Sequence, residues 1–593
     1  MLLSMRLRLP AFTAFIVVAL VGCGGRARDI DAPIGSAMLG KRVVGDRGMV
    51  AASQPDAAAA GAEILRRGGN AMDAAVATAF ALSVTDISQT GLGGGGALLW
   101  HDARARSNDY LLFYPRTGAD SVWATFDSTL TPAARAARGA GIPGMVAGLL
   151  EAHARHGRLD RATVMAPAIR LAREGFVVTP LLSRTILSAR QRLAGDSAAM
   201  ALLMPDGEPL LPGQRLVQPA LAATLERIAD LGTPGFYEGP VAATLARDVQ
   251  AKGGLITTRD LGDYVVTRTP PLCAEWRGHT VLSAPPPMGG PSVLAMLQMS
   301  ERAGVTQGDG LTVDGNAIVR LAGVQRLVTA DAGWWRGDPA AMSVPARGFA
   351  SAGYAAARIA EIPAVAPDTA PRGNPWRHEA DALPGRCTGP AFPVATAALA
   401  DTLAPPSLPL EDERNTSFTS HLAVVDADGN AVSATTTVGV LFGSGIYTGG
   451  FFLNSSAGNL DARTRGTNRY ANSTIAPTLV LDGDEVRLAI GAAGSQYIQP
   501  ATAQVTMRIL AFGEDPGAAI AAPRIQTSPV RRDVEVEPGF ASDVYAGLVQ
   551  AGYRPGSRVS DLAFGAVHGV FVRHDGRRIG IADPRRDGVA VAQ

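Results

Sequence analysis

Residues 416–460 read TSFTSHLAVVDADGNAVSATTTVGVLFGSGIYTGGFFLNSSAGNL, and this stretch decides how the rest of the chain is interpreted. Its first half predicts a β-hairpin. The apolar run at residues 421–425 meets the turn residues 426–429, and the chain then returns through the run at residues 430–437, which is rich in β-branched side chains. The hairpin therefore bears on both the fold and the chemistry.

The register of the hairpin brings two threonines together. If Val425 pairs approximately with Asn430, Thr437 lies opposite Phe418 or Thr419. Directly opposed residues of two strands have their Cβ atoms about 5 Å apart. We therefore expect the open end of the hairpin to hold two threonine side chains next to each other.

A threonine hydroxyl is a weak nucleophile, but a threonine at a chain N-terminus can use its own α-amino group as the base. That chemistry requires the chain to be cut just before Thr419. The alternative is plain packing, because threonine is common in strands and pairs across many hairpins. The hairpin pattern alone leaves both interpretations open.

The order of residues around the hairpin resembles a known family. Thr419-Ser420-His421, followed by VVDADGNAVSATTT and then by FGSG at residues 442–445, is similar to the start of the small subunit of the γ-glutamyltransferases, or γ-glutamyl transpeptidases. These are N-terminal-nucleophile hydrolases that cleave themselves before such a threonine. The resemblance implies that Thr419 is the nucleophile and that Thr437 supports its amino group and hydroxyl. His421 matches the family's T-x-H, but a histidine in a strand is more often structural, so we assign it no role.

The resemblance extends over most of the chain, from about residue 48 to residue 587. Residues 48–84 resemble the opening of the family's large subunit, with two helical segments separated by Gly68-Gly69-Asn70. Residues 91–96, GLGGGG, formally satisfy GxGxxG. A dinucleotide site is not expected there, because these glycines follow a helix and lead into a strand. A close backbone turn between helix and strand is the better interpretation.

The resemblance implies an α+β fold, a four-layer αββα sandwich in which a large and a small chain are intertwined. We predict a signal peptide at residues 1–23, a tether at 24–47, a large subunit at 48–418 and a small catalytic subunit at 419–593. The large subunit would end in an irregular tail at about residues 363–415, which is rich in Pro, Ala and Thr.

Acyl transfer also needs an oxyanion hole and a binding site for the acyl donor. Backbone N–H groups near Ala493 and Gly494 are the candidates for the oxyanion hole, because small residues let the main chain approach a substrate. The family has a Gly-Gly pair here, so Ala493 is a departure. Ser473 and Thr474 match the family's paired serines that contact the carboxylate of the donor.

The residues expected to recognise a γ-glutamyl group are altered. Its α-carboxylate and α-ammonium need opposite charges nearby. The family arginine aligns with Tyr114, and Arg116 is the nearest substitute, two residues away. The family acid aligns with Asn459, and the family asparagine that follows the second threonine aligns with Gly439. The sequence therefore keeps the catalytic residues and loses most of the amino-acid clamp.

Composition limits the function classes. The chain has 593 residues, 47% hydrophobic and 18% charged, with a formal net charge of +1. These values indicate a globular protein with a large core and no nucleic-acid partner. Arg6, Arg8 and the short apolar stretch at residues 11–21 precede Leu-Val-Gly-Cys23, which resembles a bacterial lipoprotein signal. An ordinary secretory signal is the alternative. We expect a location on the periplasmic side of the envelope, with membrane contact only through a lipid on Cys23.

The other two cysteines, Cys273 and Cys387, would face an oxidising compartment, where either a disulfide or two buried thiols is compatible with the sequence. The histidines are scattered without metal-ligand spacing, so neither a metal nor a cofactor is expected.

The sequence therefore predicts an autoprocessed amide hydrolase or acyltransferase that cleaves γ-glutamyl amides such as glutathione and passes the acyl group to water or an amine. Two alternatives remain. One is an amidase or acylase for a non-glutamyl donor on the same scaffold, and the other is a non-catalytic envelope lipoprotein.

Overall fold

A computed structural model describes residues 41–120, 130–308, 310–381, 387, 417–460, 466–558 and 564–593. The predicted signal peptide with Cys23, most of the predicted tether, and residues 388–415 of the predicted tail lie outside these residues. The boundary between the two predicted subunits, at residues 418 and 419, lies inside them.

The described residues form 21 strands. In chain order these are β1 (Arg42–Gly45), β2 (Met49–Ala52), β3 (Gly95–Asp102), β4 (Ser107–Phe113), β5 (Phe176–Val177), β6 (Arg215–Leu216), β7 (Thr267–Thr269), β8 (Leu272–Trp276), β9 (His279–Ser283), β10 (Ser417–Val425), β11 (Ala431–Val440), β12 (Tyr447–Thr448), β13 (Phe451–Phe452), β14 (Thr478–Asp482), β15 (Glu485–Ala493), β16 (Ile525–Thr527), β17 (Asp533–Val536), β18 (Arg554–Ser557), β19 (Ala566–Val572), β20 (Arg578–Ala582) and β21 (Val589–Ala592).

The described helices, again in chain order, are α1 (Pro55–Arg66), α2 (Ala71–Thr85), α3 (Pro132–Arg138), α4 (Met145–His156), α5 (Arg161–Glu174), α6 (Pro180–Ser188), α7 (Arg190–Leu193), α8 (Ser197–Leu203), α9 (Pro219–Leu231), α10 (Pro234–Tyr237), α11 (Gly239–Ala251), α12 (Thr258–Gly262), α13 (Gly290–Arg302), α14 (Gly315–Trp335), α15 (Ala346–Ala350), α16 (Ala352–Ile359), α17 (Ile498–Leu510), α18 (Pro516–Ala521) and α19 (Ser542–Gln550). Short 3-10 turns lie at Pro375–His378, Ser456–Asn459 and Ser495–Tyr497.

Fourteen of the strands build two seven-stranded sheets, and every pairing within these two sheets is antiparallel. Sheet 1 has the order β21-β2-β10-β11-β3-β4-β7, and sheet 2 has the order β1-β20-β19-β15-β14-β9-β8. The sheets pack face to face, with β10 and β11 against β15 and β19.

Helices cover the outer face of each sheet. Helices α1, α2 and α4 pack on sheet 1, while α13, α17 and α18 pack on sheet 2. The architecture is therefore the four-layer αββα sandwich that the sequence resemblance implied. An antiparallel sheet with both faces covered has an apolar core on each side. The buried side chains form one cluster that extends from the space between the sheets to the sheet 2 helices, and a second one beneath the sheet 1 helices.

The hairpin β10–β11 lies at the centre of sheet 1, with helix α2 against one face and sheet 2 against the other, so both faces of its strands are buried. Leu422 and Val424 pack toward the helix layer, while Ala423 and Val425 pack between the sheets. Successive side chains of a strand point to opposite faces, so this alternation places Thr419 on the face between the two sheets.

Helix α2 supports the hairpin from outside. All of its residues are buried, and most are small, so that the helix lies close against β10 and β11. It begins with a capping box in which Asn70 and Asp73 bond to each other's backbone N–H groups, and it ends at Thr85. The residue that follows the helix, Asp86, is therefore delivered to the hairpin.

Cys273 of β8 and Cys387 form a disulfide with their Cα atoms 5.2 Å apart. The structure thus decides between the two alternatives left open by the sequence. The bond attaches a residue of the predicted tail to the edge strand of sheet 2.

No helix among the described residues is both long enough and apolar enough to cross a membrane.

Candidate active site

The two threonines meet at an irregularity in the hairpin. Strand pairing shifts by one residue between Phe418 and Ser420, so that Thr437 and Val438 of β11 together face Thr419 of β10. This is a β-bulge, which locally redirects side chains and is frequent next to active sites. The prediction that Thr437 lies opposite Phe418 or Thr419 is confirmed, although Val425 pairs with Ala431 instead of Asn430.

The hydroxyl of Thr437 makes two hydrogen bonds at this bulge. Its Oγ1 donates to the carbonyl oxygen of Phe418 at 2.6 Å and accepts from the backbone N–H of Gly439 at 2.8 Å. Because the hydroxyl oxygen accepts a hydrogen bond from the Gly439 N–H, the hydroxyl proton is directed toward Phe418. Both Thr419 and Thr437 are 2% exposed, so these bonds are shielded from water.

The carbonyl that Thr437 contacts belongs to the peptide bond between Phe418 and Thr419. Attack by the Thr419 hydroxyl on this carbonyl would develop negative charge on its oxygen. A hydrogen-bond donor already aimed at that oxygen stabilises the charge as it forms. The arrangement can therefore promote cleavage of the chain immediately before Thr419.

The glycine run ahead of β3 lets the main chain approach this hairpin. A Cβ atom on Gly94 would lie 2.3 Å from the carbonyl oxygen of Thr437, and one on Gly93 would lie 2.2 Å from that of Phe452. Contacts this short exclude any side chain. Side-chain bonds from Asn454 Nδ2 to the carbonyl oxygens of Gly93 and Gly141, both 2.8 Å, fix the run in place. The glycines form the predicted close backbone turn.

The residues predicted for the oxyanion hole lie at the end of β15. Ala493 is the last residue of that strand, and Gly494 follows with φ of +129°, a conformation that favours glycine. The 3-10 turn Ser495–Tyr497 comes next and packs against β10, the strand that carries Thr419. This end of β15 is thus near the hairpin, and the oxyanion role stays a prediction.

Ser473 and Thr474 lie just before β14. The backbone N–H of Ser473 donates to the carbonyl oxygen of Pro287 at 3.2 Å, and its Oγ accepts from the N–H of Ile475 at 3.4 Å. The carbonyl of Thr474 lies against Gly289, where a Cβ would approach it to 2.5 Å. These contacts hold both residues on the loop that precedes α13, and donor binding by them stays a prediction.

The predicted clamp residues lie on two segments, one that follows β4 and one in the 3-10 turn that follows β13. Arg116 donates from Nη2 to the carbonyl oxygen of Asp263 at 2.6 Å, and its guanidinium lies 5.0 Å from the centre of the Tyr264 ring. Tyr114 is buried in the core between the sheets, and Asn459 is exposed in its 3-10 turn. Substrate binding by these three residues stays a prediction.

A buried carboxyl next to the nucleophile was missed by the sequence reasoning. Asp86 accepts a hydrogen bond from Ser420 Oγ at 2.5 Å and another from Gln89 Nε2 at 2.7 Å. Burial raises the pKa of Asp86 to about 6, against the lowering effect of these two bonds and of the Arg586 charge. The only signal in the sequence was an acid at the end of an apolar helix.

Arg586 was missed as well. Its Nη1 donates to Gln89 Oε1 at 2.5 Å and to the carbonyl oxygen of Thr419 at 3.0 Å, and its guanidinium lies 5.9 Å from the centre of the Phe418 ring. Arg586 thus contacts the residues on both sides of the bond that would be cut. It directly follows the Asp583–Arg585 segment, which matched the family, but no motif marked it.

His421 is buried, and its Nδ1 lies 2.8 Å from Thr435 Oγ1. Burial, with a smaller contribution from the nearby His568, lowers the pKa of His421 well below its usual value, so its imidazole is neutral. Such a group fits a structural role. Within the described part of the chain no three His, Cys, Asp or Glu residues cluster in a way that could hold a metal ion.

The sequence profile of the family described as gamma-glutamyltranspeptidase matches residues 57–593. The chain belongs to this family. The match includes the hairpin, the glycine run and the end of β15 that build the candidate site.

Proteins similar to this chain include two proenzymes and one solved acylase structure. The glutathione hydrolase proenzyme of Bacillus subtilis (strain 168) is 31% identical over 564 residues, covering 92% of this chain and 92% of that protein. The acylase ACY 1 proenzyme of Pseudomonas sp. (strain V22) is 31% identical over 571 residues, covering 93% and 94%. The crystal structure of cephalosporin acylase from Bacillus halodurans superposes with a TM-score of 0.78 at 26% identity, covering 95% of this chain and 98% of that one.

Membership of the γ-glutamyltranspeptidase family makes the chain an enzyme of the N-terminal-nucleophile hydrolase type, a hydrolase or acyltransferase that uses a threonine nucleophile. Both curated relatives are named as proenzymes, which agrees with a precursor that is cut before it acts.

Proposed function

We propose that this chain is the precursor of a threonine amidase that acts on γ-glutamyl amides such as glutathione and transfers the γ-glutamyl group to water or an amine. The observation that carries the proposal is the hydrogen bond from Thr437 Oγ1 to the Phe418 carbonyl oxygen. The glutathione hydrolase relatives, similar along almost the whole chain, support the choice of donor.

Maturation would be a self-cleavage. The Thr419 hydroxyl oxygen attacks the Phe418 carbonyl carbon, and the oxyanion that forms accepts the hydrogen bond of Thr437. When the C–N bond breaks, the acyl group has moved from the nitrogen of Thr419 to its oxygen, and the nitrogen takes up the proton that the hydroxyl loses and becomes a free amine. Water then hydrolyses this ester. The products are a new carboxylate on Phe418 and a new N-terminus on Thr419.

Turnover would repeat the same chemistry on the substrate. The α-amino group of Thr419 takes the hydroxyl proton while the hydroxyl oxygen attacks the γ-carbonyl of the donor. The leaving amine receives that proton, and an ester of the γ-glutamyl group remains on Thr419. Backbone N–H groups at Ala493 and Gly494 are the proposed donors to the substrate oxyanion. Attack by water or by a second amine releases the acyl group.

A matched series of anilides tests the donor. A γ-glutamyl anilide carries the α-carboxylate and the α-ammonium, a glutaryl anilide lacks only the ammonium, and a butyryl anilide lacks both. A hydrogen bond to a charged group contributes about 1.5–3 kcal/mol, so recognition of the ammonium predicts at least about a tenfold higher kcat/KM for γ-glutamyl than for glutaryl. Equal or higher turnover of the glutaryl anilide would contradict γ-glutamyl specificity.

A second candidate function is acylase activity on a donor without the amino-acid groups. The specific observation in its favour concerns two of the clamp residues. Arg116 is engaged by the Asp263 carbonyl and the Tyr264 ring, and the neutral Asn459 stands where the family has an acid. The likeness to acylases along nearly the whole chain also supports it. This candidate predicts that the glutaryl or butyryl anilide is the better substrate.

We also propose that the chain is exported and lipidated on Cys23. The basic start, the short apolar stretch and the Leu-Val-Gly-Cys23 sequence support this location. The disulfide between Cys273 and Cys387 supports an oxidising compartment, because disulfides are rare in the cytosol.

Expression in a bacterial host with labelled palmitate tests the anchor. Label on the wild-type protein in the membrane fraction, and its loss in Cys23→Ser, is the expected result. An unlabelled wild-type protein in the soluble periplasmic fraction would instead indicate an ordinary secretory signal.

A further inference from the structure

The main chain of Thr419 has a tether that does not depend on the bond to be cut. Arg586 Nη1 holds the carbonyl oxygen of Thr419 at 3.0 Å, and the neighbouring Ser420 side chain is held by Asp86 at 2.5 Å. The Asp86 contact is made to the side chain of residue 420, and the Arg586 contact is made to the peptide unit that joins residues 419 and 420. This unit stays in the chain after cleavage, whereas the covalent link to Phe418 is lost.

A chain terminus is ordered only where its backbone is tied down. An N-terminal nucleophile must nevertheless be held within a fraction of an ångström, because a misplacement of about 1 Å costs about 100-fold in rate. The contacts of Arg586 and Asp86 supply such a constraint directly behind the reacting hydroxyl and amine of Thr419.

The two contacts form one continuous chain of hydrogen bonds. Asp86 Oδ1 accepts from Gln89 Nε2 at 2.7 Å, which turns Gln89 Oε1 toward Arg586 Nη1, 2.5 Å away. The carbonyl of Gln89 in turn accepts from the N–H of Val438 in β11 at 3.0 Å. Because a carboxylate can only accept, Asp86 fixes which way the Gln89 amide points and so lets Arg586 reach Thr419.

The surroundings of Asp86 disfavour the charged form of its carboxyl group. It follows the last residue of α2, where the helix dipole is negative, and its own N–H is bonded to the carbonyl of Leu82 at 2.8 Å. Burial raises the pKa of this carboxyl to about 6, and Asp587 adds to the effect, while Ser420, Gln89 and Arg586 favour the charged form. A strongly perturbed group beside a nucleophile is characteristic of functional sites.

We propose that Asp86, acting through Gln89 and Arg586, is a positioning residue that holds the Thr419 main chain during self-cleavage and turnover. The inference rests on the proposed function, in which Thr419 is the nucleophile. The loop after α2 in the large subunit and the C-terminal part of the small subunit then together hold Thr419, and Gln89 connects them.

Three variants test the proposal. Asp86→Asn removes the charge, and Gln89→Leu interrupts the chain at its centre. The matched control is Asp426→Asn, a buried carboxylate at the closed end of the same hairpin, which accepts from the Ala71 N–H at 2.9 Å and from Asn430 Nδ2 at 2.8 Å. The measurements are the fraction of chain cut at Thr419, kcat and KM per cut molecule on the best anilide of the donor series, and the thermal midpoint.

We expect Asp86→Asn and Gln89→Leu to lower kcat by about tenfold or more, with KM changed less than about threefold. If a variant is cut too slowly for kcat to be measured, we expect the same loss in its rate of self-cleavage. Asp86→Asn should fold with an unchanged or higher thermal midpoint. A merely structural carboxylate would show the opposite pattern, a lower midpoint with normal kcat per cut molecule. The control should be cut normally and keep a kcat close to that of the wild type.

Three results would overturn the proposal while wild type is active. These are a normal kcat and normal cutting in both variants, an equal loss in the Asp426→Asn control, or failure of Asp86→Asn to fold. A wild-type chain that is never cut, or is cut and turns over no anilide, would refute the proposed function itself.

Discussion

The hydroxyl of Thr437 donates a hydrogen bond to the carbonyl oxygen of Phe418 at 2.6 Å, and this carbonyl belongs to the peptide bond that precedes Thr419. The orientation of this hydroxyl is fixed by the N–H of Gly439, which donates a hydrogen bond to the hydroxyl oxygen at 2.8 Å. One threonine of the hairpin is therefore arranged to assist the cleavage that frees the other.

Removal of the Thr437 hydroxyl should slow self-cleavage. Loss of one oxyanion donor typically costs about 100- to 1,000-fold in rate, so we expect that effect in Thr437→Val, which has nearly the same shape. Thr437→Ser keeps the hydroxyl and should be cut much faster than Thr437→Val. The fraction of cut chain against time, read on a denaturing gel, measures both.

The adjacent Thr436 offers a control. Its hydroxyl lies on the other face of β11, where it accepts from Thr90 Oγ1 at 2.9 Å. Thr436→Val should be cut at nearly the wild-type rate. If the Thr436 and Thr437 variants were slowed equally, a general loosening of the hairpin would explain the effect better than a donor to Phe418.

Asp86 should make the free energy of unfolding depend on pH. Its pKa is raised by burial from 3.8 to about 6 in the folded chain, so the folded state holds the proton more tightly than the unfolded state. This contribution to stability is present below about pH 4 and is lost as pH rises to about 6.

Asp86→Asn should remove that loss. We expect the variant to exceed wild type in stability by up to about 3 kcal/mol at pH 7 and to be closest to it near pH 4, since one pKa unit corresponds to about 1.4 kcal/mol. Urea unfolding of both proteins at several pH values measures the difference. A variant that is less stable than wild type at pH 7 would contradict the sign.

The disulfide should stabilise the large subunit. Cys273 and Cys387 are separated by 114 residues, and crosslinks that close loops of such length typically contribute about 2–5 kcal/mol. The Cys273→Ser/Cys387→Ser double variant should therefore unfold at a lower temperature than oxidised wild type. A reductant should lower the midpoint of the wild type and leave that of the double variant unchanged. Equal midpoints in oxidising buffer would show that the bond does not form.

Donor preference should respond to a single charge. Asn459 is exposed and neutral where the family has an acid. If it lies near the donor, Asn459→Asp should raise the kcat/KM ratio of γ-glutamyl over glutaryl anilide about tenfold, because charge-assisted hydrogen bonds are about twice as strong as neutral ones. The glutaryl value should not rise. An unchanged ratio would place residue 459 outside the donor site.

Several features were accessible from the sequence because they are local. The apolar run at residues 421–425, the turn at 426–429 and the β-branched run that follows predict the hairpin, and the break at Gly68-Gly69-Asn70 separates the two helices α1 and α2. The resemblance supplied what periodicity cannot, the layer order and Thr419 as nucleophile. The bulge opposite Thr419 was not visible, because a period of two does not show where one extra residue enters a strand.

The remaining site contacts join residues that are far apart in sequence. Gln89 and Arg586 are 497 positions apart, and Asp86 and Ser420 are 334 apart, so only the closed sandwich brings them together. No spacing rule links such residues. The direction of the Arg116 side chain likewise depends on the neighbouring Tyr264 loop, which the motif around residue 114 did not reveal.

The most direct test of the account is the intact mass of the purified protein beside that of Thr419→Ala. We expect two fragments in the wild type, with the smaller one beginning at Thr419, and a single uncut chain in the variant. A folded wild-type protein that remains one chain, or is cut at another bond, would show that Thr419 is not an autocatalytic nucleophile.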